Sequence, residues 1–228
     1  METRSGTDRG APYEPTSAVP PEKASVVEDF IDIFYAPSTV FARREKSGFW
    51  TQLLVITLLT ALFVFASRAV FSQIFDAEFA RGAAKAIAKN PQVTQEMMDR
   101  MKPMQEKITS FVLYVITPII IFVTALVVWL VGKVLSIKLT YTQAAMITTL
   151  AWIPRLVGGL LGALQVLVMD TTNGKLFGLM GSLDVFALWY AVLIGIGIAV
   201  MGKVPRSRGF AAAAIVFVVT TIPLFAFR

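Results

Sequence analysis

Residues 110–132 read SFVLYVITPIIIFVTALVVWLVG, a run of 23 residues with no charge. A helix rises about 1.5 Å per residue, so this run reaches roughly 34 Å and matches a hydrocarbon core ~30 Å thick. It therefore reads as a membrane span. Four further stretches, at about 49–70, 141–169, 183–202 and 209–227, are also long and predominantly apolar. The fold class expected from them is all-α: a polytopic integral membrane helical bundle with five transmembrane helices. Trp50, Trp129 and Tyr141 fall near span ends, where amphipathic rings prefer the interface.

Composition agrees, because 56% hydrophobic residues, 16% charged residues and a mean hydropathy of +0.68 are too apolar for one soluble domain of 228 residues. A net charge of +6 suggests nucleic acid only if the basic residues share one polar face. Here they sit beside the apolar runs, as topology signals do, so no nucleic-acid partner is expected and the lipid bilayer is the first partner.

The short loops orient the bundle. Lys133 and Lys138 lie between spans two and three, and Lys203, Arg206 and Arg208 between four and five, whereas the loop between three and four carries Lys175 alone. Arg43, Arg44 and Lys46 precede the first span. The positive-inside rule then places the amino terminus in the cytoplasm and, with five spans, the carboxyl terminus outside. The long first loop has six basic residues, but five acidic ones accompany them and long segments weigh less. A cytoplasmic (inner) membrane is the expected location.

Ahead of the spans, residues 1–25 mix four prolines with Gly, Ser, Thr and charges, a composition that buries too little apolar surface to fold. A disordered tail is expected, and with no apolar core in it, no cleavable signal peptide. Residues 26–46 form the next unit. Ser25 and Glu28 make a capping box, Val27, Phe30, Ile31 and Phe34 share a helical face, and Pro37 stops the helix. A second segment puts Val40 and Phe41 beside Arg43, Arg44 and Lys46. Together they read as an amphipathic cytoplasmic segment on the membrane surface, anchored by the basic cluster. Glu28, Asp29 and Asp32 oppose attraction to anionic lipid, so docking against the protein's own spans stands as an equal alternative. Phe30, Phe34, Pro37 and Phe41 are its candidate partner residues.

Residues 47–228 form the membrane domain, and within it the loop after span one reads as an extracytoplasmic helical hairpin over about residues 72–108. Asn90-Pro91 is its stop and restart, with Asn90 as cap and Pro91 in a first turn.

Arg155 is the sharpest polar signal, lying after Pro154 near the middle of span three, where a charge costs roughly 2.5–3.5 kcal/mol on insertion scales. Asp184 and Asp170 are candidate counterions and Gln165 a neutral partner. A structural reading competes, in which Pro154 breaks the span and Arg155 pairs or snorkels. Met97, Met101 and Met104 share a face; thioethers can hold Cu(I), but with neither His nor Cys in the chain an apolar stripe packed on its neighbour is the expected role. Gly158-x-x-x-Gly162 and Gly195-x-x-x-Ala199 are small-residue pairs that let helices approach closely. No cofactor or metal site is expected, and no catalytic residue. An intramembrane protease needs HExxH, a base such as His, or two facing carboxylates, and only Asp184 lies within or at the edge of a span.

Three stretches, FIDIFYAP at 30–37 with Phe41 after it, Trp152-Ile153-Pro154 in span three, and LDVFALWYAVLIGIGIAVMGK at 183–203 before a final span, resemble the Yip-domain (Ypt-interacting) membrane proteins in their bacterial branch. The resemblance covers about residues 28–227. It implies a five-span bundle with a cytoplasmic amino terminus and a non-enzymatic role exerted through contacts; eukaryotic members are associated with Rab-type GTPases and vesicle membranes. The tail and the long first outer loop depart from that eukaryotic pattern, and no partner-contacting residue is carried over. Two functions are consistent with these signals: organising membrane partners or lipid, or a small transporter or channel with Arg155 in a polar path.

Overall fold

The computed structural model describes residues 25–168 and 185–226, excepting the side chains of 165–168 and 221–226. Eight helices are described: α1 (Val26–Asp32), α2 (Pro37–Arg44), α3 (Trp50–Ala66), α4 (Arg68–Lys89), α5 (Gln95–Val134), α6 (Tyr141–Val168), α7 (Val185–Met201) and α8 (Arg206–Ala226). No strand occurs among the described residues. Residues 1–24 and 169–184, the latter with Asp170, Lys175 and Asp184, lie outside them.

Length and apolarity suffice for membrane crossing in α5 and in the Tyr141–Leu164 part of α6; α3 and α4 reach it together but are bent by 71°, and α7 is a shorter apolar helix. The bend falls at Ser67, which closes α3 by donating its N–H to Phe63 and opens α4 by accepting from Val70 and Phe71. Span one, expected to run to about residue 70, thus turns three residues earlier. Arg68, just past the turn, stacks on the Phe65 ring at 5.1 Å.

Three expectations about proline are corrected. Pro154 does not break span three, since α6 is helical from Tyr141 to Val168. Pro103 and Pro118 likewise lie inside a continuous α5. Packed neighbours tolerate a proline inside such helices and re-satisfy the freed carbonyl. Pro37 does not stop the first helix either: α1 ends at Asp32 and Pro37 opens α2, where its missing N–H costs nothing. The Asn90-Pro91 restart is also displaced. Asn90 caps the end of α4, and α5 begins only after Thr94, whose hydroxyl accepts from the Met97 N–H.

The core runs through the bundle, with Ile56 of α3, Ile121 and Val128 of α5, Ile147 and Leu150 of α6, and Leu193 and Ile198 of α7 fully or nearly fully buried. Helices α7 and α8 cross closely. A Cβ on Gly209 would lie 2.5 Å from the Gly195 carbonyl oxygen and 2.8 Å from the Ala199 Cβ, so the pair Gly195 and Ala199 serves packing within the chain. Gly158 likewise receives the Phe186 ring. Hydroxyls buried among these helices turn back on their own backbone, as Thr60 does to Ile56 and Thr148 to Ala144.

Candidate functional site

The amino-terminal helices carry the densest ion-pair cluster among the described residues. Ser25 caps α1 through the expected reciprocal box with Glu28. One turn on, Asp29 is 0% exposed although it is ionisable. Arg43 Nε reaches its Oδ1 at 2.8 Å, Arg44 Nε its Oδ2 at 2.6 Å, and Arg43 Nη1 bonds Asp32 at 2.8 Å. A buried carboxylate accepting from two guanidiniums is compensated on both oxygens, the condition under which burying a charge is tolerable. Burial works against the Arg43 charge, but its bonds to Asp29 and Asp32 outweigh that and raise its pKa.

This lock joins α1 to α2, and apolar packing seats the pair on one end of the bundle. Ile33, Val40 and Phe41 are wholly buried there, and the Phe41 ring approaches Gly197 of α7 closely enough that a Cβ would meet it at 3.2 Å. Arg43 and Arg44, expected to anchor the segment to headgroups, are engaged by Asp29 and Asp32 instead. The expected apolar face is also divided. Phe30 and Phe34 pack partly against the core, whereas Val27 and Ile31 point outward, 67% and 51% exposed, with Tyr35 beyond them at 79%. Pro37 is half-buried at the head of α2. Asp29 was not singled out from the sequence as a partner of the arginines. The signal was there: an acid between Val26, Phe30 and Ile33 on the inward face, followed fourteen residues later by Arg-Arg.

Arg155 is placed differently from a lined path. Its side chain lies exposed on α6, with the guanidinium 5.3 Å from the Trp152 ring and 5.2 Å from that of Tyr190, two rings packed edge to face at 6.0 Å. Tyr190 in turn hydrogen-bonds Thr124 of α5. The aromatic pair shields the cation, worth about 0.5–2 kcal/mol depending on desolvation. Pro154 beside it is buried in the helix. Asp184 lies outside the described residues, as does the Gln165 side chain, so neither expected pairing with Arg155 is seen.

Met97, Met101 and Met104 do not pack on their neighbour. They are about half exposed, and the stripe continues through Ile108 and Phe111 on the same side of α5. The reason is rotational. Lys102 meets α4, bonding Asp76 at 2.8 Å and facing Phe79, and that register turns the methionines away. Among the described residues no group of His, Cys, Asp or Glu could hold a metal.

At the end bearing α1 and α2, the 135–140 and 202–205 turns meet the end of α2. Lys203 bonds Glu45 at 2.8 Å, and Arg208 donates to the Leu135 carbonyl at 2.7 Å. Residues counted separately for orientation thus converge.

The Yip1 domain family model matches residues 31–227 of the chain. No curated protein and no solved structure matches it. The match and the apolar helices together make this an integral membrane protein.

Proposed function

We propose that this chain, which belongs to the Yip1 domain family, is a non-enzymatic, five-span protein of a bacterial inner membrane that organises protein partners or lipid through its amino-terminal platform. In this reading α3, α5, α6, α7 and α8 each cross the bilayer. The amino terminus is cytoplasmic, the carboxyl terminus outside, and α4 with the first turns of α5 forms the outer hairpin.

The observation that carries the proposal is the ionic lock at Asp29. It ties α1 to α2, which Phe41 seats against Gly197 of α7, while leaving Val27, Ile31 and Tyr35 directed outward. A pre-organised apolar surface on a fixed helix loses little entropy on binding, which favours a recognition role. The basic residues of the short loops support the orientation.

Photocrosslinking in cells from probes at Ile31, Tyr35 and Met101 tests this, with adducts identified by mass spectrometry. A defined heterologous protein or lipid class captured at Ile31 and Tyr35, and lost when Asp29→Asn releases the platform, is the expected result. Capture unaffected by Asp29→Asn, together with solute flux in proteoliposomes abolished by Arg155→Leu, would replace the organiser with a transporter.

A further inference from the structure

A cavity of about 550 Å³ opens at the platform end of the bundle, lined by Ser136, Lys138, Thr140, Gln143, Lys203 and Glu45, with Met201 at its wall. That volume lies within the ~300–1,000 Å³ of small-molecule sites. Its polar groups come from four separate segments: the end of α2, the 135–140 turn, the first turn of α6 and the 202–205 turn.

Two features set it apart from an ordinary crevice. Ser136 at φ 55° and Lys203 at φ 53° are the non-glycine residues of positive φ among the described residues, and both line this cavity. Both are the left-handed caps that close α5 and α7, with Ile137 donating to the Gly132 carbonyl and Val204 to that of Ala199, and these turns bring Ser136 and Lys203 to the same opening. The second feature is charge. Lys203 is bonded to Glu45, but Lys138 has no carboxylate partner among the described residues, so the lining carries net positive charge. The carbonyl ends of α5 and α7 would oppose an anion, yet Arg208 covers Leu135 at the end of α5. Thr140 and Gln143 cap each other at the start of α6, and the Gln143 amide also donates to the Glu45 carbonyl at 3.5 Å, which ties two walls of the opening together.

We infer that this cavity binds the phosphate-bearing headgroup of an anionic phospholipid, with Lys138 and Lys203 on the phosphate and Ser136 and Thr140 on its polar substituent. Apolar Met201 and Val204 suit the glycerol end, and placement at the level of span termini suits a lipid. The inference takes from the proposed function only which leaflet supplies the lipid.

The test is thermal unfolding of the purified full chain in detergent, titrated with soluble short-chain phosphatidylglycerol, short-chain phosphatidylcholine or inorganic phosphate. Expected is a midpoint rise with phosphatidylglycerol well above that with the other two. Lys138→Gln should weaken the response about fivefold, the equivalent of ~1 kcal/mol per basic residue. Because Lys203→Gln also breaks the Glu45 bridge, Ser136→Asp provides the second variant: aspartate tolerates the left-handed backbone and sets a carboxylate against the phosphate. Its response should fall further. An unchanged response in both Lys138→Gln and Ser136→Asp would overturn the site, equal stabilisation by phosphatidylcholine would overturn the anion, and equal stabilisation by inorganic phosphate would overturn the lipid. None of these readouts depends on a protein partner, so they leave the platform's crosslinking result independent.

Discussion

Asp29 shows how one side chain decides the role of a whole segment. With its carboxylate buried between Arg43 and Arg44, removing the charge takes from both cations the acceptor they share, Arg43 keeping its bond to Asp32. Breaking a buried pair costs about 3–5 kcal/mol; the two arginines are partly exposed, so Asp29→Asn should fall toward about 3 kcal/mol. Hydrogen exchange should then rise over residues 26–44 while α5 to α7 stay protected; equal protection would mean that apolar packing alone holds the platform. Gly197 is the complementary case. A Cβ there would lie 2.7 Å from Ile147 and 3.2 Å from Phe41, so Gly197→Ala should cost about 1–3 kcal/mol by overpacking and loosen the same helices. Arg155 is expected to behave oppositely. Its contacts are ring faces on an exposed surface, so Arg155→Leu should change thermal stability by no more than about 1 kcal/mol in either direction.

At the scale of elements, α5 joins two environments in one helix. Its Val128 side is buried in the bundle, while Met97, Met101 and Met104 stand outward on its first turns. Exposed thioethers oxidise faster than enclosed ones, so brief peroxide treatment followed by peptide mass spectrometry should convert these three to sulfoxide well before the buried Met146 and Met201. Slow oxidation at the three would show that the stripe is covered in the membrane-bound protein. The α4–α5 contact is looser and rests partly on Lys102, whose bond to Asp76 raises its pKa above the usual 10.5. A raised lysine pKa contributes stability that is complete below the unfolded value and disappears as pH climbs through the folded one. Protease sensitivity between α4 and α5 should therefore stay flat through neutral pH and increase only above about pH 10.5. Being exposed, the bridge gives a small effect.

For the whole molecule, the absence of cysteine makes topology directly testable, because any introduced thiol is the sole reporter. With five spans, a cysteine at Ser38 should label from the cytoplasmic side and one near the carboxyl terminus from the outside, while Met101→Cys labels from the outside. Labelling of Ser38 and the carboxyl terminus from the same side would exclude an odd number of spans.

Uncharged runs such as 110–132 made the membrane helices legible in the sequence, because the hydrocarbon requirement acts on each segment alone and needs no knowledge of neighbours. Caps were legible where their atoms are local, as at Ser25 and Glu28. Helix rotation and long-range pairing were not. Whether Arg43 meets a headgroup or Asp29, whether Met101 meets α4 or the outside, and whether Ser136, Lys138 and Lys203 share one cavity depend on how helices pack. Sequence periodicity marks a helix face without saying what lies opposite it, and only the tertiary structure supplies that neighbour.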